Sequence, residues 1–193
     1  HNIRFIAVND NVDSEQGEGD FTPFVNIMNE WYARDISRKV RSAHKLRGNA
    51  GVPLCQPPYG YKKDPDRKGF WLIDEEAAQV VRRVYQLCIE GLGTEKTAAL
   101  LHREQVLKPA AYWASKGVKR PAKKSIYEDR CRWASSTIIK ILTTREYVGD
   151  VVNFKTSSKS FKDKRRHFND EDNQIVFENV HAPIIPRVMW ENV

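Results

Sequence analysis

The sequence predicts an α+β fold, mainly helical, in which one long helix leads into a helical domain with a small antiparallel β element. Three observations predict it. Apolar residues recur every three or four positions from Phe24 to Leu46, one helical stripe over roughly six turns. Two shorter stretches of the same period follow between residues 74 and 105, and a third opens at Ser135 or Ser136. Beyond Gly149 the pattern becomes strand-like, over Asp150–Thr156 and again over Gln174–Asn179. With 193 residues, 40% hydrophobic and 30% charged, the chain can bury a core and lacks a disordered composition.

In chain order, the run Ile3–Val8 reads as a strand buried on both faces, followed by a polar loop from Asn9 to Asp20. An isolated strand has no neighbour here, so it is expected to be mobile or to pair with another chain. Thr22-Pro23 offers a hydroxyl N-cap with proline at the first helical position. The long stripe then runs through Phe24, Met28, Trp31, Tyr32, Ile36, Val40, Ala43 and Leu46, and Gly48, Gly51 and Pro53 end it. About 26 helical residues make a rod of roughly 39 Å, more than a domain of this size needs to fill its core.

The stretch 52–73 is irregular, with Pro53, Pro57, Pro58 and the turn Asp64-Pro65-Asp66, and holds short extended pieces near Tyr59–Lys62 and Phe70–Ile73. Asp74 caps a helix to about Leu92 that buries Ala77, Val80, Val81, Val84, Leu87 and Cys88, and Gly91 and Gly93 close it. Thr94 caps a short helix to about Gln105, with Ala98, Leu101 and Val106 inward. A basic loop over 107–133 leads to the third helix, capped by Ser135 or Ser136, with Ile138, Ile141 and Leu142 inward. This order is a helix-turn-helix pattern, although its connector exceeds the usual three or four residues. The strands after Gly149 flank a very basic tip, Ser157–His167, and Pro183 and Pro186 introduce a last helix. The implied domain limits are 1–20, 21–50 for the long helix, and 51–193.

Charge is blocked along the chain. The net charge of +7 and pI of about 9.3 point to a polyanionic partner. Residues 34–48 carry +5, 102–145 carry +8 and 150–167 carry +4, while 1–33 carry −5 and 168–193 carry −4. Solvated surface lysines are the plainer reading of any one block; three blocks in one small chain favour phosphates.

The candidate DNA-contacting residues follow from those blocks. On the long helix they are Arg34, Arg38, Lys39, Arg41, Lys45 and Arg47; before the third helix, Lys123, Lys124 and Arg132. The third helix offers Ser135, Ser136, Thr137 and Lys140, with Thr143, Thr144 and Arg145 at its end, and the tip offers Lys162, Lys164 and Arg165. Short hydroxyls let a helix approach a groove closely, while Lys and Arg reach phosphates or guanine. Tyr112, Trp113, Tyr127 and Trp133 lie among the bases of the loop, where they either stack on unpaired nucleotides or, as favoured for Trp133, pack under the third helix.

Several classes are excluded. No apolar run nears the roughly 18 residues of a membrane span, and no secretory signal opens the chain. Cys55, Cys88 and Cys131 form neither a disulfide framework nor a CxxC pair, which suggests a reducing, intracellular setting, and Cys88 reads as a core residue. The histidines are scattered, no Gly-rich phosphate loop or GxSxG is present, and Asp170-Glu171-Asp172 reads as a solvated turn before a cation site. No cofactor or metal is expected in this chain. It begins at His1 and ends inside an apolar run, and is expected to be part of a longer protein.

Five segments carry a resemblance to a family. IRFIAVNDNVDS at 3–14 and FTPFVNIMNEWYARDISRKVR at 21–41 resemble the end of the catalytic domain and the connecting helix of large serine recombinases of the resolvase/invertase superfamily, above all transposon-encoded ones. PPYGY at 57–61, DEEAAQVVRRVYQLCIEGLGTEKTAALLHRE at 74–104 and STIIKILTTREYVGDV at 136–151 resemble that family's recombinase domain. The resemblance implies DNA strand exchange through a covalent 5′-phosphoserine in the full-length protein, acting as a homodimer or tetramer on double-stranded attachment sites. No segment here matches the family's nucleophile, and Ser14 follows the final strand rather than occupying that position. A zinc ribbon, the only place where zinc is implied, follows in full-length relatives. It further implies that the apolar first half of the long helix packs on the catalytic domains. The basic half crosses the DNA backbone, the linker after Gly48 follows the minor groove, and the third helix enters the major groove. A bacterial cytoplasmic, nucleoid-associated location follows. The rival readings are a helix-turn-helix regulator without catalytic activity and a coiled-coil interaction module; the mixed spacing and cationic end of the stripe disfavour the latter.

Overall fold

The computed structural model describes residues 4, 6–7, 12–13, 22–118, 129–163 and 165–193. Its elements in order are β1 (Ile6–Ala7), β2 (Val12–Asp13), α1 (Thr22–Asn49), β3 (Tyr61–Lys63), β4 (Trp71–Ile73), α2 (Glu75–Ile89), α3 (Thr94–Arg103) and α4 (Pro109–Ser115). There follow α5 (Ser135–Thr143), β5 (Val151–Asn153), β6 (Thr156–Ser157), β7 (His167–Phe168), β8 (Ile175–Phe177) and α6 (Arg187–Glu191). The strands form antiparallel pairs β1–β2, β3–β4, β5–β8 and β6–β7, so the fold is α+β and mainly helical. The chain divides into two compact units, His1–Leu46 with Thr156–Phe168, and Arg47–Lys155 with Asn169–Val193.

In the first unit, Ile6–Ala7 pairs with Val12–Asp13 of the same chain. This corrects the expectation of a strand without a local partner: the intervening sequence contains Asn9, Asp10 and Asn11, residue types that favour turns. The remainder of the expected strand and loop, with Ser14, Lys123, Lys124, Tyr127 and Lys164, lies outside the described residues. The helix α1 spans 28 residues and includes Thr22. Its apolar stripe is exposed, with Phe24, Trp31 and Tyr32 at 62%, 60% and 63%. The basic tip, expected within 51–193, groups with α1 through the Lys162–Glu30 ion pair at 2.9 Å, and β6–β7 closes its base.

The second unit holds the core. The stripe of α2 packs Ala77, Ala78, Val81, Val84 and Tyr85 in one core with Ala98 and Leu101 of α3 and Ile138 and Ile141 of α5, and Leu87 is buried as well. Tyr59, Tyr61, Trp71, Tyr112, Trp133 and Tyr147 complete it with Ile184 and Ile185. The pair β5–β8 sits inside the two expected strand stretches, in register Val151↔Phe177. Gly48 does not stop the first helix, which runs on to Asn49; a Cβ there would come within 2.3 Å of the Phe154 ring. The turn comes at Gly51, whose φ of +74° favours glycine. Buried Asn153 secures that exit, donating to the Gly48 and Val52 carbonyls at 3.0 Å and accepting from Leu54 N–H at 3.1 Å.

Four local expectations are corrected here. The basic loop contains α4, with Lys108 at its N-cap, Pro109 in its first turn, and Ala111 and Tyr112 buried. Thr94 is not a cap: Gly93 holds that position for α3. Asp74 occupies the N-cap position of α2, but its carboxylate accepts the Tyr112 hydroxyl at 2.9 Å instead of a helix N–H. Cys88 is only half-buried, and Cys131 is the buried cysteine.

Tyr85, fully buried on the α2 stripe, donates to the Ile141 and Leu142 carbonyls at 3.0 and 3.1 Å. These belong to the last turn of α5, where the Ile141 carbonyl also accepts the Thr144 N–H at 3.4 Å. Burial pushes the Tyr85 phenol well above its usual pKa, so the hydroxyl keeps its proton. Tyr85→Phe is expected to cost about 1–2 kcal/mol, as an earlier urea midpoint at unchanged slope. An unmoved midpoint would show that these bonds contribute nothing net.

Candidate functional site

The basic residues of α1 separate by their partners. Arg34 is tied to Glu30 at 3.1 Å and Lys39 to Asp35 at 2.7 Å, each one turn apart. Arg38, Arg41 and Lys45 have no carboxylate partner among the described residues, and spacings of three and four put them on one helical face with Arg34. Arg47, in the second unit, is exposed and also unpaired among the described residues. In the tip, Lys162 is held by Glu30 and Arg165 by Asp163 at 3.1 Å.

In the second unit the site is α5. Ala134 is its N-cap, with no side-chain capping bond, which corrects the expectation that Ser135 or Ser136 caps it. The Ser135 hydroxyl instead meets the Thr94 hydroxyl at 2.7 Å and so joins the first residues of α3 and α5. Ile138 and Ile141 anchor one face of α5 in the core. Ser136, Ile139, Lys140 and Thr143 are exposed on the other, with Thr137 half-buried beside them. Ser136, Thr137 and Lys140 form no side-chain bond among the described residues. Thr143 donates to the Ile139 carbonyl at 2.9 Å and Thr144 to that of Lys140, so these two hydroxyls turn back onto the helix.

Arg145 has internal work. Its Nε donates to Asp150 at 2.8 Å and its Nη2 to Glu178 at 3.3 Å. Arg132 is exposed just ahead of α5, without an ion pair among the described residues. Ile139, 48% exposed between Ser136 and Lys140, escaped the sequence reading; a lone isoleucine on a helix reads as core until the buried face is known. Such an apolar side chain suits a thymine methyl.

The loop aromatics belong to the core. Tyr112 and Trp133 are 4% and 6% exposed and both meet the Tyr59 ring edge-on, at 5.5 and 6.0 Å. Trp113 is half-buried and lies 6.2 Å from the same ring. Trp133 Nε1 also donates to the Val106 carbonyl at 3.0 Å. Stacking on nucleotides is thereby closed to Tyr112 and Trp133. Among the described residues no group of three His, Cys, Asp or Glu could hold a metal ion, and Asp170–Asp172 forms an exposed turn. No described helix is long and apolar enough to cross a membrane.

The sequence model of the Recombinase family matches residues 75–193, from the start of α2 to Val193. The chain belongs to the recombinase family. The match takes in α2, α3, α5 and the β5–β8 pair, while α1 and PPYGY precede it. Among solved structures, the chain is similar to an LSR–DNA complex, at TM-score 0.46 and 16% identity over 80% of this chain and 36% of that one. It is also similar to a structure concerned with the attP site of a Listeria innocua prophage, at TM-score 0.38 and 20% identity over 80% of this chain and 48% of that one. The recombinase chain thus spans less than half of either.

Proposed function

We propose that this chain is the DNA-binding part of a transposon-encoded large serine recombinase and reads an attachment site in double-stranded DNA. The observation that carries the reading is the outer face of α5. Its Ser136, Thr137, Ile139 and Lys140 are left without internal partners, on a helix whose opposite face is locked into the core. Hydrogen-bonding hydroxyls, one cation and one apolar side chain on a rigid helix are the means by which a major groove is read. On this reading α3 and α5, joined at Thr94 and Ser135, act as a helix-turn-helix pair. The free cations Arg38, Arg41 and Lys45 serve the phosphate backbone.

The exposed apolar half of α1 serves contacts with the catalytic domains in a homodimer or tetramer. Strand exchange through a 5′-phosphoserine belongs to the whole protein, and no residue described here carries it. The setting is the bacterial cytoplasm, on the nucleoid. DNA binding by this chain uses no metal or other cofactor; zinc belongs to a ribbon elsewhere in the protein.

The test is fluorescence anisotropy on a duplex from the end of its own element and on a scrambled duplex, from about 50 to about 300 mM salt, with EDTA present. A preference of about a hundredfold or more that survives high salt is expected. Equal, steeply salt-dependent binding to both duplexes would remove site reading from α5, and loss of binding in EDTA would refute the metal-free interface.

A further inference from the structure

We infer that a cleft within the first unit seats a single phosphodiester of duplex DNA, held jointly by Arg41 and Arg166. The inference rests on the DNA-binding reading above and deepens it by naming the group that one site takes. The cleft, of about 340 Å³, lies between α1 and the basic tip: Ser37 and Arg41 line it from the helix, and Ser158, Ser160, Asp163 and Arg166 from the tip. Val40 and Phe161 supply its apolar surface.

The partners of the surrounding charges make the argument. Lys162 and Arg34 share the single carboxylate of Glu30, at 2.9 and 3.1 Å, and Lys39 pairs with Asp35 at 2.7 Å. Asp163 is the one carboxylate lining the cleft, and it is already engaged. Its Oδ1 accepts the backbone N–H of Arg165 at 3.0 Å and the Arg165 Nε–H at 3.1 Å. Those bonds, the backbone one foremost, hold its carboxyl below the usual range and keep it ionised on Arg165. Arg41 and Arg166 therefore face the cleft with no carboxylate partner among the described residues.

The hydroxyls complete a set of donors. Ser160 Oγ accepts the Asp163 N–H at 3.0 Å and keeps its own proton to give. Ser37 and Ser158 have no side-chain bond among the described residues. Two guanidinium forks and three hydroxyls, with the only carboxylate occupied, fit an oxyanion whose several oxygens accept at once. A cation or a neutral apolar ligand fits none of this. A phosphate in a chain of phosphates is favoured over a free anion because Arg38 and Lys45, also unpaired, share the helical face of Arg41. A row of cations one turn apart follows a backbone; a lone anion has no use for it.

The test measures anisotropy on the cognate and the scrambled duplex across a salt series for the parent chain, Arg41→Ala, Arg166→Ala, the double variant and Arg166→Lys. Arg166 is exposed and makes no internal bond among the described residues, so the thermal midpoint is expected to stay put. Arg166→Ala is expected to weaken both duplexes alike, roughly three- to tenfold, with Arg166→Lys in between. The double variant should flatten the log–log salt slope by about 0.9, one phosphate, where two independent contacts would remove about 1.8.

A chain that still binds DNA while Arg166→Ala changes neither affinity nor slope overturns the cleft and leaves the DNA reading standing. Additive loss of two contacts overturns the shared phosphate. A parent chain that binds neither duplex, while its Arg41 and Arg166 Nε–H signals shift with inorganic phosphate, overturns both the DNA reading and the phosphodiester assignment in favour of a free-anion seat.

Discussion

An Asp150→Ala chain is expected to be less stable than the parent by about 2–4 kcal/mol, seen as an earlier urea midpoint. The Asp150 side chain is fully buried and receives three donors from three segments. Arg145 Nε reaches Oδ2 at 2.8 Å; Arg187 Nη2 and the Asn179 N–H reach Oδ1 at 2.8 and 3.2 Å. One carboxylate thus ties the turn after α5, the exit from β8 and the start of α6. Removing it leaves two guanidiniums that are 34% and 35% exposed and can turn toward water. For that reason the expected loss is set below that of a wholly buried pair.

The same carboxylate gives a pH dependence. Burial is the strongest single influence on it and acts to raise its pKa, but the bonds from Arg145, Arg187 and the Asn179 N–H together outweigh burial and hold it below the usual value. A carboxyl whose pKa falls on folding stabilises the fold above its unfolded pKa of about 4 and loses that contribution as pH drops through the lower, folded value. The parent chain is expected to lose stability below about pH 4. Asp150→Ala should lose less over the same window, and parallel acid profiles would show that Asp150 is not the group responsible.

The long helix, α2, α3, α5 and the outer strands of the β5–β8 pair were legible because each buries or presents one face, and a one-faced element repeats its apolar residues at its own period. The seven-residue α4 was not legible. About two helical turns, opened by proline and flanked by lysines, carry too few apolar positions to draw a stripe. The caps were misread for a related reason. Thr94 and Ser135 have the right chemistry to cap their own helices, but each hydroxyl finds the other across 41 positions of sequence. Within the candidate site, the segments were legible from charge and hydroxyl content, whereas the free residues were not. Arg145 and Lys140 look equivalent in sequence; Glu178, 33 positions downstream, helps to engage the first and leaves the second open. Arg166 was overlooked beside Arg165 because nothing local says which of two adjacent arginines Asp163 will take.

That distinction sets the second large expectation. Lys140→Ala should weaken binding to the attachment site by about 1–3 kcal/mol, roughly five- to 150-fold, while scarcely changing affinity for a scrambled duplex. Lys140 is exposed on the free face of α5, so the loss should come without a shift in the urea midpoint. Arg38→Ala, on the free face of α1, should lower affinity for both duplexes equally and flatten the salt slope by about 0.9. Arg145→Ala should instead act through stability, because its guanidinium is spent on Asp150 and Glu178. The three variants therefore separate base reading, backbone contact and folding by different readouts. If Lys140→Ala reduced binding to both duplexes to the same degree, α5 would lie on phosphates rather than base edges, and recognition of the site would have to come from the shape of the DNA or from another part of the recombinase.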